Sequence, residues 1–409
     1  MVKQARLIEI QIRNYKNIAA TVIDLQPLTV LVGPNGAGKS NFVDALSFVA
    51  DALSHSIHLA FADRGGIAAV RRKSGGHPYH IGLRFRLALA DGGWADYAFD
   101  IAARPREAFS VAHERCIVQP FMVPRHEFEV ENGQFIREVP DIRPRIEPDR
   151  LALTVVSAAE EFRPVYDFLT GIQRFTLRPE RLRALQDPDP AEGTVLLPDG
   201  SNAAAVLRRI KERADREHPN EQNSQVYERI CRLLGQIVPG TTGVEAKSVG
   251  RKETLEFRQK VGQRHDWRFD ALNMSDGTLR ALGILLAVYQ PRPASLIAIE
   301  EPESTIHPAA VEVLMDILLD GVERSQVLIT THSPDILDNK KLRDEQIIAV
   351  QSTEGTAQIT PLTDTTRDLI RQRLYTPGEL LRQDEIQVDP DYAERSAEQL
   401  DLFGKLEDE

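Results

Sequence analysis

The sequence predicts an α/β protein, a mixed sheet with flanking helices, interrupted by a large α+β insertion. Three observations carry this. The apolar run Leu28-Thr29-Val30-Leu31-Val32 passes through a glycine-rich loop into a helix over 41–52. A second alternation begins at Leu272, with helix 278–289, strand 295–299, helix 308–320 and strand 326–330. Between them, Ser40 and Ser275 stand 235 residues apart (275 − 40), and that stretch mixes strand-like with helical patterns.

Taken in order, residues 6–32 read as two strands around a turn: Leu7, Ile8, Ile10 and Ile12, then Val22, Ile23 and Leu25, then Leu28 to Val32. Residues 80–103 read as an antiparallel pair turning at Asp91-Gly92-Gly93. Residues 104–150, rich in Pro and Arg, read as irregular with a hairpin at 128–135. Helical periodicity covers 151–170 and 201–236, with Ser201 as a cap. Two strands are expected over 244–270, and the ordered domain ends near 362. The expected division is therefore 1–103 (N-terminal lobe), 104–265 (inserted lid), 266–383 (C-terminal lobe) and 384–409 (an acidic flexible tail).

Composition narrows the class. No apolar run approaches the ~18 residues that span a bilayer, and the first residues do not read as a signal peptide. Cys116 and Cys231 form no metal or redox pattern, so buried thiols in a cytoplasmic protein are expected. The net charge of −11 is uneven: residues 384–409 hold ten acids and two bases, leaving −11 + 8 = −3 for the body. A nearly balanced body can still carry local basic faces.

Gly33-Pro34-Asn35-Gly36-Ala37-Gly38-Lys39-Ser40, between strand and helix, is a phosphate loop in its required context. Its glycines let backbone N–H groups, with the helix N-terminus reached at Asn41, surround phosphate oxygens. Lys39 reaches the β- and γ-phosphates of a nucleoside triphosphate, and Ser40 is a ligand for Mg²⁺. Leu296-Ile297-Ala298-Ile299-Glu300-Glu301-Pro302-Glu303 is an apolar strand ending in carboxylates; the first suits Mg²⁺, the second a general base for water. Ser275 and Gly277 open an apolar helix, a second anion-binding start. His332 follows the strand 326–330.

In this order the elements resemble the ABC-type ATPase head: phosphate loop, signature (Met274-Ser275-Asp276-Gly277, with Met where Leu is usual), acidic strand, D-loop (Ser304 to Pro308) and switch histidine. The long insertion, the opening Ile12-Arg13-Asn14-Tyr15-Lys16-Asn17-Ile18, the helix Asn41 to Leu46, the Glu-Glu-Pro-Glu form and Leu374 to Leu380 resemble the RecF/SMC/OLD-like branch, the bacterial "AAA family ATPase". The resemblance covers 1–60 and 265–380. It implies the cofactors ATP and Mg²⁺ and a homodimer with two sandwiched nucleotides. Ser275 and Gly277 would meet the γ-phosphate held by the partner's Lys39, Glu301 would activate water and His332 would sense the γ-phosphate. The Q-loop glutamine is unassigned, with Gln119 and Gln173 as candidates.

The branch implies work in DNA repair or maintenance, or in defence against phage and plasmids. Arginine-rich stretches at 64–73, 174–183, 208–211 and 251–268 read either as phosphate-binding faces or as solvated, ion-paired ones. Too few residues follow the head for a TOPRIM nuclease, so an effector protein in trans is expected. Gln399-Leu400-Asp401-Leu402-Phe403 resembles the pentapeptide that docks bacterial proteins on the replication sliding clamp. The competing reading is a DNA-independent regulatory or scaffold ATPase; a transporter energiser is disfavoured by the insertion and this tail, and no membrane contact is expected.

Overall fold

The computed structural model describes residues 4–73, 80–104, 108–137, 145–216, 225–261 and 265–404. Backbone contacts divide the chain into two units, 1–172 with 343–409, and 173–342. The expected insertion 104–265 is thus not one body. Its first part belongs to the first unit because strands pair it there.

In the first unit the chain begins with β1 (Arg6–Tyr15), β2 (Ile18–Asp24) and β3 (Leu28–Val32). The phosphate-loop helix follows (Lys39–Ser54), buried nearly all round through Phe42, Val43, Leu46, Phe48, Val49 and Leu53, as a core helix must be. Then come β4 (His80–Ala88), β5 (Trp94–Ala103), β6 (Phe109–Gln119), β7 (His126–Glu131) and β8 (Gln134–Arg137). β1 pairs antiparallel with both β2 and β4, and β4 to β8 continue as an antiparallel meander.

The second unit holds β9 (Ile172–Phe175), then helices Ala203–Arg216 and Val226–Ile237, each amphipathic. Ser201 does not cap the first of these. The helix begins at Ala203, and its Ala204 N–H donates to Gln186 Oε1 at 2.8 Å. β10 (Thr241–Val249), β11 (Lys252–Val261) and β12 (His265–Asp270) form an antiparallel sheet of three strands where two were expected. The signature helix (Asp276–Tyr289) precedes β13 (Leu296–Glu300), which pairs in parallel with β14 (Gln326–Thr331). Helix Val311–Gly321 joins those strands.

The chain then completes the first unit. β15 (Ile347–Thr353) pairs in parallel with β3 and antiparallel with β16 (Thr356–Pro361), which meets β2 at Ala357 and Ile18. The ordered fold runs well past 362. Helix Pro390–Gln399 lies on β2, where Val22 N–H donates to Ser396 Oγ at 2.7 Å and Tyr392 OH donates to Val22 O at 3.0 Å. Leu402 is 1% exposed. Phe403 stacks on His113 at 3.7 Å between ring centroids. Arg84 donates to Asp401 O at 2.7 Å, and Arg115 to Phe403 O at 2.7 Å and Gly404 O at 3.0 Å. The tail expected to be flexible over 384–409 is therefore docked as far as it is described, because Ser396, Tyr392, Leu402, Phe403 and the carbonyls of 401, 403 and 404 find partners on β2, β4 and β6.

Candidate functional site

The first unit presents the phosphate loop between β3 and its helix. Gly38 adopts φ 120°, a left-handed value reserved for glycine, and a Cβ there would meet the Cβ of Ala357 at 2.6 Å. No side chain caps the helix N-terminus, which leaves the end of its dipole facing the loop. Lys39 is 6% exposed, and its ammonium donates to Gly33 O (2.6 Å) and Pro34 O (3.0 Å). The charged head thus points into the loop's own ring, where a triphosphate would lie. Asn41 Nδ2 donates to Asn17 Oδ1 at 2.7 Å, tying the loop helix to the turn after β1.

That turn lines a cavity of about 580 Å³ bounded by Lys16, Asn17, Arg71, Arg72, Lys73 and Thr356. Its size and its basic lining suit a small anionic ligand. Sequence reading missed this cavity, because Arg71 and Thr356 are 285 residues apart (356 − 71). Beneath it, Asp44 gathers Tyr15 OH (2.7 Å), Lys16 (2.5 Å) and Arg64 (3.0 Å). Burial pushes the Asp44 carboxyl up, but Arg64, Lys16 and Tyr15 outweigh it and hold it below the usual range.

The second unit carries the remaining elements. Ser275 is exposed and caps the signature helix: its Oγ accepts from Thr278 N–H at 3.3 Å. Gly277 packs against the D-loop so closely that a Cβ would meet Thr305 O at 2.3 Å. Arg183 holds this start in place through Asp276 (2.5 Å) and Met274 O (3.1 Å).

Glu300 closes β13, and its Oε1 accepts from Arg174 Nε at 2.8 Å and Nη2 at 2.6 Å. Glu301 leaves the strand with φ 46°. Its N–H donates to Thr330 O at 3.0 Å, and its Oε1 lies 3.4 Å from His332 Nδ1. Glu303 is half-buried. Desolvation raises its pKa, although Thr331 Oγ1 donates to it at 2.5 Å. Within this unit the structure therefore brings Glu301, His332, Thr330 and the acidic turn together, and joins Gly277 to the D-loop.

The candidate Q-loop residues are otherwise engaged. Gln173 Oε1 accepts from Gln290 at 2.8 Å, and Gln119 holds the turn after β6 through Val123 O. Most of the basic stretches are paired with acids: Arg64 with Asp51, Arg208 with Glu253, Lys211 with Glu245, Lys252 with Asp187 and Arg268 with Glu256. Arg264 lies outside the described residues. Among the described residues no group of His, Cys, Asp and Glu side chains could hold a metal by itself, and no helix is long and apolar enough to cross a membrane.

A phosphate loop with a capped signature helix and an acidic turn defines a nucleotide-hydrolysing P-loop protein. Two family models match: "AAA ATPase domain" over 6–121, and "AAA domain, putative AbiEii toxin, Type IV TA system" over 167–338. No curated protein matches the chain. Among solved structures, the SMC head bound to the C-winged helix domain of ScpA superposes with a TM-score of 0.51 at 15% identity, covering 88% of this chain and 99% of that one. An SMC head domain from Thermotoga maritima gives 0.44 at 15%, covering 88% and 99%, and one from Pyrococcus furiosus, bound to the C-terminal domain of ScpA, gives 0.48 at 12%, covering 91% and 100%. The first shares the fold of this chain. Two separate stretches of the chain thus match AAA-family ATPase models, and the fold is that of an SMC head.

Proposed function

We propose that this ATPase is a dimeric switch. ATP closes two copies around a pair of nucleotides, and hydrolysis reopens them, with an effector protein responding in trans. The observation that carries the reading is Glu301 beside His332 on a left-handed turn at the end of β13, the placement a general base needs.

The phosphate loop from Gly33 to Ser40, with Asn41, holds the triphosphate. Lys39 neutralises charge as it develops on the γ-phosphoryl group. A water attacks phosphorus as the bond to the bridging oxygen breaks, and its proton passes to Glu301. ADP and phosphate leave, with His332 holding the γ-phosphate oxygens until then. Ser275 and Gly277 act on the nucleotide of the partner copy, a role their exposed helix start suits. Mg²⁺ is the expected companion of ATP: Ser40 on the first unit and Glu300 on the second are each a hard-oxygen donor of the kind it takes. Bound with ATP, the ion would supply charge neutralisation to the phosphates.

The matched family's description supports a place in defence against phage or plasmids, and the RecF/SMC resemblance supports one in DNA repair. The tail pentapeptide 399–403 supports docking on a sliding clamp. A second reading, a DNA-independent regulatory ATPase that controls a partner protein, is favoured by the ion pairing of the basic stretches, which leaves fewer charges for phosphates. ATPase rate with and without duplex, single-stranded and forked DNA separates the two. Stimulation by any form supports DNA processing, and real turnover without stimulation supports the regulatory reading.

A further inference from the structure

Arg280 lies on the signature helix, five residues past Ser275. Its Nη2 donates to two successive backbone carbonyls at the end of β13, Glu300 O at 2.8 Å and Glu301 O at 2.9 Å. One nitrogen can reach both because the chain leaves extended geometry at Glu301, with φ 46°. A non-glycine residue held there is strained and persists only where its surroundings over-determine it.

Both sides of Glu301 are pinned. Its N–H donates to Thr330 O (3.0 Å) and Oγ1 (3.2 Å), and its C=O accepts from Arg280. With both peptides fixed, the Cα–Cβ bond of Glu301 has a set direction, and its carboxylate lies 3.4 Å from His332 Nδ1. The Arg280 Nε is buried with no hydrogen-bond partner. Burial lowers the guanidinium's pKa, and the carboxylates of Glu303 and Glu301 oppose that. A buried, partly unsatisfied guanidinium is costly to keep, and a carbonyl clamp gives it a use.

We propose that Arg280 is the positioning residue for Glu301: it ties the start of the signature helix to the backbone that aims the base, so that engagement of Ser275 and Gly277 sets the hydrolysis rate. This rests on the reading of Glu301 as base and of Ser275 with Gly277 as a γ-phosphate contact. Arg280 touches no reacting atom; its effect is on geometry, where a displacement of about 1 Å costs on the order of 10²-fold in rate.

The test uses the full chain and three variants: Arg280→Ala, Arg280→Lys and Glu301→Gln. Affinity for a fluorescent ATP analogue, single-turnover hydrolysis and thermal melting are measured on each. Arg280→Ala is expected to bind within about twofold of wild type and to hydrolyse on the order of 10²-fold more slowly. Arg280→Lys, with one ammonium for two carbonyls, recovers part of the rate. Adding Arg280→Ala to Glu301→Gln lowers the rate no further, since both act through one group. The proposal is overturned if Glu301→Gln is inactive while Arg280→Ala hydrolyses at the wild-type rate, or if binding falls as much as hydrolysis. Should Arg280→Ala fail to fold, wild-type turnover in Arg280→Lys overturns it. Wild-type turnover in Glu301→Gln sinks the base assignment itself, a separate failure.

Discussion

His332 Nδ1 and Glu301 Oε1 lie 3.4 Å apart, at the ends of two parallel neighbours, β14 and β13. A carboxylate so placed can take a proton from water, while the imidazole has a second nitrogen for a phosphate oxygen. Glu301→Gln should keep ATP binding and lower hydrolysis by about 10²–10⁴-fold. His332→Ala should cost less, because it removes a contact and not the proton acceptor. Single-turnover assays on preloaded protein measure both, and wild-type turnover in Glu301→Gln would refute the assignment.

Lys39→Ala removes the buried ammonium of the phosphate loop. A charge-assisted hydrogen bond is worth roughly 1.5–3 kcal/mol, so affinity for ATP should fall by at least about tenfold. Titration with a fluorescent analogue reads this directly. Unchanged affinity would mean that the loop is not the triphosphate site.

Gly277→Val places side-chain carbons where Thr305 O already lies, 2.3 Å from an ideal Cβ. The start of the signature helix must shift, while the phosphate loop on the other unit is untouched. The variant should bind ATP normally yet fail to dimerise on adding it. Light scattering with ATP, in the Glu301→Gln background that holds the closed state, decides the point.

Glu114 offers a pH test. It is fully buried and accepts from Ala152 N–H, Leu153 N–H and Tyr97 OH. Desolvation raises its pKa from 4.5 to about 7, against the pull of those donors. The folded state therefore binds the proton more tightly than the unfolded chain. Stability from this group is full below pH ~4.5 and is lost as pH rises through about 7. Glu114→Gln should flatten that part of the stability profile, measured by urea unfolding between pH 5 and pH 8 (values chosen to bracket the window).

The docked tail bears on the clamp motif, because Leu402 and Phe403 cannot be buried on this chain and in a partner's pocket at once. A peptide of residues 393–409 should bind purified sliding clamp more tightly than the full chain does, by the inverse of the undocked fraction. Gly82→Ala puts a Cβ 2.1 Å from Leu402 Cδ1, so it should free the tail and raise the full chain's affinity without touching the motif. Equal affinity of peptide and full chain would mean that the tail is already free in solution.

Legibility in the sequence followed local physics. The phosphate loop, signature helix and acidic strand were readable because each is an uninterrupted apolar run closed by a loop of defined chemistry. The hairpin at β7 and β8 was signalled by Asn132-Gly133. β6 was not, because His113, Glu114 and Arg115 break its alternation, and only the buried partners Tyr97, Ala152 and Leu153 make that acid tolerable there. The docked tail was illegible for a different reason. Its polar, acidic composition matches a disordered segment, and what holds it is a set of partners some 290 to 370 positions away, such as Arg115 for Phe403 and Val22 for Ser396. For the basic stretches both readings stood open in the sequence, since the acids that pair with them lie elsewhere in the chain, such as Glu253 for Arg208 and Asp187 for Lys252.

The pairing of β3 with β15 sets a timetable for synthesis. The strand that leads into the phosphate loop ends at Val32, and its neighbour within the first unit starts at Ile347, 315 residues later. At ~5–20 residues per second, translation leaves that strand without this partner for roughly 15 to 60 seconds. The second unit is contiguous and can form during this interval, so the nascent protein should acquire its acidic turn before its nucleotide loop is seated. A ribosome-bound chain stopped before residue 343 would be a half-built ATPase, its phosphate-loop strand still lacking β15.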